Sequence, residues 1–381
     1  MSPGARGEGQ RKTAAAQRGG AAPRGTTKGR NDGARPMTEE EILATVCGYF
    51  CDQGLTAVEI ARRMKQDHGV SISREKPYQY LRKAASRGWI RFVPPQEHSL
   101  ERLVKNAHPF LHDATVVSSA RTEDVAYHGA KMLLELLQRH YRDGVAHIGF
   151  SGGTSLRMLA RRFAELLREP VPDLPAKIVF HALVAGFDVN DPTTDPNAFF
   201  TYFVGDPGMP FETEFVALHS PAMVEAADET RLRNLPAIKD AYGCASKIEI
   251  IVTSTSCWTD DHSMLRHYMK VAGESVDELE QAGCLGDILW QPIGADGPFE
   301  LNSRIRAMTI LRLCELSKLI EKEKKHVLLV AGPCDKCHKS KAKVVKAILD
   351  QADHLITHLV TDSRCASQVL SDSQAGEAER R

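Results

Sequence analysis

His147-Ile148-Gly149-Phe150 runs straight into Ser151-Gly152-Gly153-Thr154-Ser155, and an amphipathic stretch from Leu156 to Leu167 follows. A short apolar run, a glycine turn and a helical repeat in succession are what a strand-to-helix junction of a parallel sheet requires. Glycines let the backbone approach an anion closely and a helix start presents free N–H groups. The hydroxyls of Ser151, Thr154 and Ser155 add donors, so a phosphate fits here. The turn also reads as an ordinary connection, because it lacks both the Gly-Lys-Ser/Thr ending of a nucleotide loop and the dinucleotide spacing.

The same rhythm extends in both directions. Apolar runs at Thr115-Val116-Val117, Ile178-Val179-Phe180, Ile248-Glu249-Ile250-Ile251, Val327-Leu328-Leu329-Val330 and Leu355 to Val360 alternate with helical stretches, the first around Leu133 to Tyr141. This predicts an α/β domain with a mostly parallel sheet over 113–371, whose binding site lies at the carboxyl ends of strands.

Upstream the pattern is helical. Thr38 stands three residues before Glu41, and Thr56 three before Glu59, the spacing of reciprocal helix-start caps. Helices carrying Ile42 to Phe50 and Val58 to Met64 end at Gly54 and Gly69. A third starts near Ser73 and runs to Gly88, followed by a short strand, Trp89 to Val93, and a stop at Pro94-Pro95. Pro77 suits the first turn of that helix, where no N–H partner is lost. Three helices and a strand over 38–95 are the plan of a winged helix-turn-helix, whose last helix enters the major groove of double-stranded DNA. Arg74, Glu75, Lys76, Tyr78 and Gln79 are then the candidates for base edges, with Arg82, Lys83, Arg87 and Arg91 near the backbone. The alternative is a protein-binding winged helix.

Lys plus Arg and Asp plus Glu balance at 49 each, so net charge names no partner. Residues 1–37, by contrast, hold eight cations from Arg6 to Arg35 against Glu8 and Asp32, with no large apolar residue but Met1 and Met37. We expect a disordered basic tail there, either merely solvated or lending loose electrostatic help on DNA. Residues 96–112 read as a linker and 372–381 as a second disordered tail. No run approaches the roughly 18 apolar residues of a membrane span, and the N-terminus lacks a secretory core. A cytoplasmic protein is expected, with its nine cysteines mostly reduced.

Taken in order, several stretches resemble the SorC family of bacterial regulators of sugar catabolism. These are Gly54-Leu55-Thr56 through Ala61, Ile72-Ser73-Arg74, Tyr80 to Ala84, Gly152-Gly153-Thr154, Gly283-Cys284-Leu285-Gly286-Asp287-Ile288, Ala295-Asp296-Gly297, Val330-Ala331-Gly332, Lys341-Ala342 with Ala347-Ile348-Leu349, and Leu359 to Asp362. The resemblance implies a helix-turn-helix ahead of an effector domain similar to ribose-phosphate isomerase and glucosamine-phosphate deaminase. It implies a sugar-phosphate effector with its phosphate on Gly152, Gly153, Thr154 and Ser155, Asp287 reaching sugar hydroxyls, and Lys341 balancing charge. Several members carry an arginine within the phosphate loop, whereas here Arg157 stands beyond it.

From the residues alone, Asp287 precedes an apolar Ile-Leu-Trp strand and reads as a hydroxyl acceptor or a capping aspartate. Lys341 opens a helix and reads as ligand-facing or solvated. Cys334, Cys337 and His338, in an inserted loop, have the residue types of a zinc site or a redox pair, with an ordinary surface loop as the alternative. No cofactor is expected. An insertion from Asp188 to Pro210 is expected as a lid. The main rival to a regulator is a sugar-phosphate isomerase, against which stand the attached DNA-binding plan and the lack of a compact acid/base cluster in one loop. The other alternative is a DNA-associated or protein-binding module without a small ligand, which ligand-independent binding would favour. Paired recognition helices imply an even-numbered homo-oligomer, a dimer or tetramer, whose packing the effector alters.

Overall fold

The computed structural model describes residues 35–379 apart from 91, 142–143, 187–190 and 300–303, with the backbone only over 373–379. The chain divides into two compact units, Met1–Phe92 and Val93–Arg381. The expected basic tail therefore lies, up to residue 34, outside the described residues.

Unit 1 is three helices, α1 (Glu39–Cys51), α2 (Ala57–His68) and α3 (Lys76–Ser86). Both reciprocal caps form. Thr38 and Thr56 accept from the N–H of Glu41 and Glu59, and the two glutamates accept in return at 2.7 and 2.8 Å. Leu43, Val46, Ile60, Met64 and Ala84 are fully buried between the helices. Among the described residues unit 1 has no strand, contrary to the wing expected at Trp89 to Val93. The Trp89 N–H is instead drawn back to the Ala84 carbonyl at 2.9 Å, closing α3 over Gly88 at φ 75°. Among the described residues the unit offers no second strand to pair with an extended segment, and Arg91 lies outside them.

Unit 2 is built on a seven-stranded sheet of β1 (Asp113–Val117), β2 (Val145–Phe150), β3 (Lys177–Ala182), β4 (Glu212–Val216), β5 (Ile250–Thr253), β6 (His326–Ala331) and β7 (His358–Asp362). The order is β1-β7-β6-β5-β2-β3-β4, and every pairing is parallel. All residues of β5, β6 and β7 are buried, as befits strands covered on both faces. From β2 the chain builds outward to β3 and β4, then returns to the other side of β2 as β5, β6 and β7. The order of strand addition thus reverses between β2 and β5, the place where such sheets open a crevice.

Residues 96–112, expected as a linker, belong to this unit: α4 (His98–Ala107) buries Val104, and Glu101 accepts the Val116 N–H at 3.1 Å. Its apolar positions, Leu100 and Val104, are four apart and need β1 to cover them, a partner that cannot be read locally. The last helix likewise runs from Ser363 to Glu379, through most of the segment expected to be a tail. Helices α5 (Thr122–His140) and α6 (Thr154–Leu167) pack together. Beyond β5 the chain adds a small antiparallel sheet of Thr255–Cys257, Gly286–Ile288, Gln291–Gly294 and Gly297–Pro298.

Candidate functional site

The loops leaving β2, β5 and β6, three adjacent strands, converge on a cleft of about 1070 Å³, counting its open mouth. Gly152, Gly153, Thr154, Ser155, Asp287 and Lys341 all line it. The Gly152 to Ser155 loop, Asp287 and Lys341, which are far apart in sequence, thus meet because the elements that carry them are neighbours in space.

After β2, Gly153 is the N-cap of α6 with φ 110°, a conformation that side chains disfavour, and its N–H donates to the Thr194 carbonyl at 2.9 Å. A Cβ at Gly152 would stand 3.0 Å from that same carbonyl. No side chain caps α6 and its first turn holds no acid. The N–H groups of Thr154, Ser155 and Leu156 are left without intrahelical partners at the cleft wall. The expected lid is represented by Asp191 and Thr194, which form part of this wall. Arg157 holds it by pairing with Asp191 at 3.5 Å and hydrogen bonding to Thr193. Residues 188–190 lie outside the described residues.

After β5 come Ser254, Thr255 and Ser256. Thr255 Oγ1 donates to the Asp287 carbonyl at 2.8 Å, and Ser256 Oγ donates to the Asp287 carboxylate. Burial pushes the Asp287 carboxyl up to about 6, against the opposing pull of the Ser256 hydrogen bond and the Lys341 charge. The Ile-Leu-Trp strand expected after Asp287 is not formed. Ile288 pairs with Gln291, and Leu289 and Trp290 make a two-residue hairpin turn at φ 53° and 64°. Both conformations are strained for residues with a Cβ. They turn Leu289 and Trp290 into the cleft wall beside Asp287.

After β6 the chain passes Pro333, whose carbonyl accepts from Thr122 Oγ1 at 2.7 Å, and reaches Lys341, the N-cap of the helix Ala342–Leu349. Lys341 is only 8% exposed, and among the described residues it has no carboxylate partner. Cys334 lies in the same loop, where burial pushes its thiol up to about 12. The Cys334, Cys337 and His338 set is not assembled. The two thiols gather with Asp260 and His262, while His338 stands apart from that group with φ 56°. Asp260, His262, Ser256, Trp290 and Lys336 were not among the candidates from sequence. They stand in no recognisable motif, and only the packing of the loops brings them to the cleft.

A family model described as "Putative sugar-binding domain" matches residues 98–371. The chain belongs to that sugar-binding family. No curated protein matches it. Among solved structures, the full-length sorbitol operon regulator SorC from Klebsiella pneumoniae is 16% identical, with a TM-score of 0.59 over 88% of this chain and 99% of that one. A DeoR family transcriptional regulator from Listeria monocytogenes is 20% identical, with a TM-score of 0.53 over 71% and 98%. A transcriptional regulator from Streptococcus pneumoniae is 17% identical, with a TM-score of 0.55 over 73% and 97%. These likenesses establish a shared fold. The first covers more of the chain than unit 2 alone contains, so it reaches into unit 1.

In this member of the sugar-binding family, unit 1 presents Arg74 and Glu75 in the turn before α3, then Lys76, Tyr78, Gln79 and Arg82 along it, all exposed. Positions 75, 78, 79 and 82 share one helical face. Lys83 departs from the expectation. It is half-buried and pairs with Glu39 at 2.5 Å, as Arg87 does with Glu40 at 3.4 Å. The acidic first turn of α1 takes both cations, which the sequence of α3 by itself does not reveal. Among the described residues no helix is long and apolar enough to cross a membrane.

Proposed function

We propose that the protein is a sugar-responsive, DNA-binding transcription regulator whose effector is a phosphorylated sugar held in the cleft of unit 2. The carrying observation is that an uncapped helix start behind Gly152-Gly153 shares one cleft with Asp287 and with a buried Lys341 that has no salt-bridge partner among the described residues. A helix N-terminus and a lysine suit a phosphate. A carboxylate accepting hydroxyls, with Trp290 and Leu289 as apolar surface, suits the sugar. Membership of a sugar-binding family and the regulator fold agree with this reading.

The exposed face of α3, with Arg74, Glu75, Lys76, Tyr78, Gln79 and Arg82, is the proposed contact to a double-stranded operator. An even-numbered homo-oligomer, dimer or tetramer, would pair two such faces, and effector binding would change their spacing by shifting subunit packing. Calorimetry with matched phosphorylated and free sugars tests the effector. Selective binding of the phosphorylated form, with altered operator retention, is expected, and equal affinity for both forms refutes the phosphate site.

Asp287 at about 6 beside Lys341 is also an arrangement that acid/base chemistry uses, so an isomerase-like activity is the second reading. It predicts interconversion of the bound sugar phosphate, whereas an effector is recovered unchanged.

A further inference from the structure

Two loops that are distant in sequence meet at one rim of the cleft. The first follows Cys257 and carries Asp260 and His262; the second follows β6 and carries Cys334 and Cys337. One ligand atom from each of the four residues lies within 4.8 Å of all the others. Cys334 Sγ is 3.6 Å from His262 Nδ1, Cys337 Sγ is 3.5 Å from Asp260 Oδ1, and His262 Nδ1 is 2.9 Å from that oxygen. Zinc bonds of about 2.3 Å to sulfur and about 2.0–2.1 Å to nitrogen or oxygen make tetrahedral edges of about 3.3 to 3.8 Å, so the four atoms need only small adjustments to surround one ion.

The local backbone is built to hold the two thiols. The Cys334 N–H donates to the Lys339 carbonyl at 3.0 Å and the His338 N–H to the Cys334 carbonyl at 2.8 Å. This closes a tight turn with His338 at φ 56°, so that both sulfurs reach the same group of ligands. Lys339 Nζ ties the turn to the Thr259 carbonyl of the facing loop at 3.2 Å. Asp260 is 5% exposed, yet among the described residues no lysine or arginine pairs with it and its one ion-pair partner is His262. A buried carboxylate beside two thiols and an imidazole, with no basic side chain to neutralise it, is a cation site in its chemistry.

We propose that Asp260, His262, Cys334 and Cys337 bind one thiophilic divalent cation of the zinc class, which pins the Cys334 loop to the Asp260 loop at the rim of the cleft. Binding forms four metal–ligand bonds and releases the two thiol protons to solvent. Four protein ligands close the tetrahedron, so the ion is structural or regulatory and has no open position for water.

The test is titration of the full-length, reduced, chelator-stripped protein with cobalt(II), followed by displacement with zinc. One equivalent of tetrahedral cobalt with thiolate-to-cobalt charge transfer is expected, bleached by zinc. Cys334→Ser and Cys337→Ser should each weaken binding by about 100-fold or more and diminish the charge-transfer band. His262→Ala, on the more exposed side of the group, should shift the ligand-field bands while the thiolate band remains, which keeps the test open if a cysteine variant fails to fold. His338→Ala should change nothing. Absence of a thiolate–cobalt band in the reduced protein overturns the site, and so does an undiminished band in the folded Cys334→Ser, Cys337→Ser double variant. Loss of the band in His338→Ala would move the site to different ligands and equally refute it.

Discussion

Ser256 and Asp287 stand opposite each other across the small antiparallel sheet, and the serine hydroxyl donates to the aspartate carboxylate. The pairing holds one oxygen of the carboxylate at the cleft wall. It is possible because Gly286 lets the strands meet closely, since a Cβ there would fall 2.0 Å from the Ser256 carbonyl.

Asp287→Asn should weaken sugar-phosphate binding by about tenfold, the loss of one charge-assisted hydrogen bond. The sign for stability is the reverse. A carboxyl raised from 3.8 to about 6 in the native state costs stability as pH rises through that range, because the folded protein must give up a proton it retains more tightly than the unfolded chain. The variant should therefore melt no lower than wild type at neutral pH. The wild-type affinity should rise from about pH 5 to 7 as Asp287 ionises. Thermal melts and calorimetry across that range check both.

Gly153→Val should abolish the phosphorylated-sugar response while leaving operator binding intact. At φ 110° a branched side chain is strained by about 1–3 kcal/mol, and its methyls would sit at the start of α6 where the phosphate oxygens are proposed to lie. The melting temperature reports the strain and calorimetry the lost site. An unchanged response in the folded variant would remove this loop from the effector site.

On α3 the structure separates two kinds of cation. Arg74→Ala and Gln79→Ala should each cost about 1–3 kcal/mol in operator binding and relax preference at one base position. Arg82→Ala should weaken binding to all sequences and lower the salt slope by about one. Lys83→Ala, which removes the pair with Glu39, should instead lower stability slightly and leave base preference unaltered. Gel-shift titrations on operator variants at several salt concentrations distinguish these outcomes.

At the amino ends of β6 and β7, the ring of His326 lies 5.4 Å from that of His358 and 4.6 Å from that of His140, with His112 close to both β-strand histidines. Burial holds His326 down to about 4 and His358 to about 3, from an ordinary 6.5. Neighbouring His112, His140 and Arg139 oppose protonation further. Lowered histidines leave stability intact above 6.5, and it is lost as pH falls below that value towards the folded-state values, because the unfolded chain takes up the protons first. Urea midpoints with a chelator present should drop steeply between about pH 6.5 and 4. The decline should be shallower in His326→Gln.

Much of the architecture was legible locally. The two Thr-x-x-Glu caps, the glycine stops and the strand-turn-helix at 147–167 depend on interactions within a few residues, so propensity and periodicity carry them. The Gly152 to Ser155 loop, Asp287 and Lys341 could be named as candidates for the same reason, each standing at a recognisable junction or in a motif of the resemblance. Only the tertiary structure decided what those residues meet. The order of the parallel strands sets which loops share a cleft, and that order is a property of long-range packing. Long-range packing brought Ser256 to Asp287, Asp260 and His262 to the two thiols and, within unit 1, Glu39 to Lys83. It also made a helix of residues 98–107, because the apolar stripe there has meaning only against β1, and turned Leu289-Trp290 into a hairpin, because Ile288 and Gln291 pair across it.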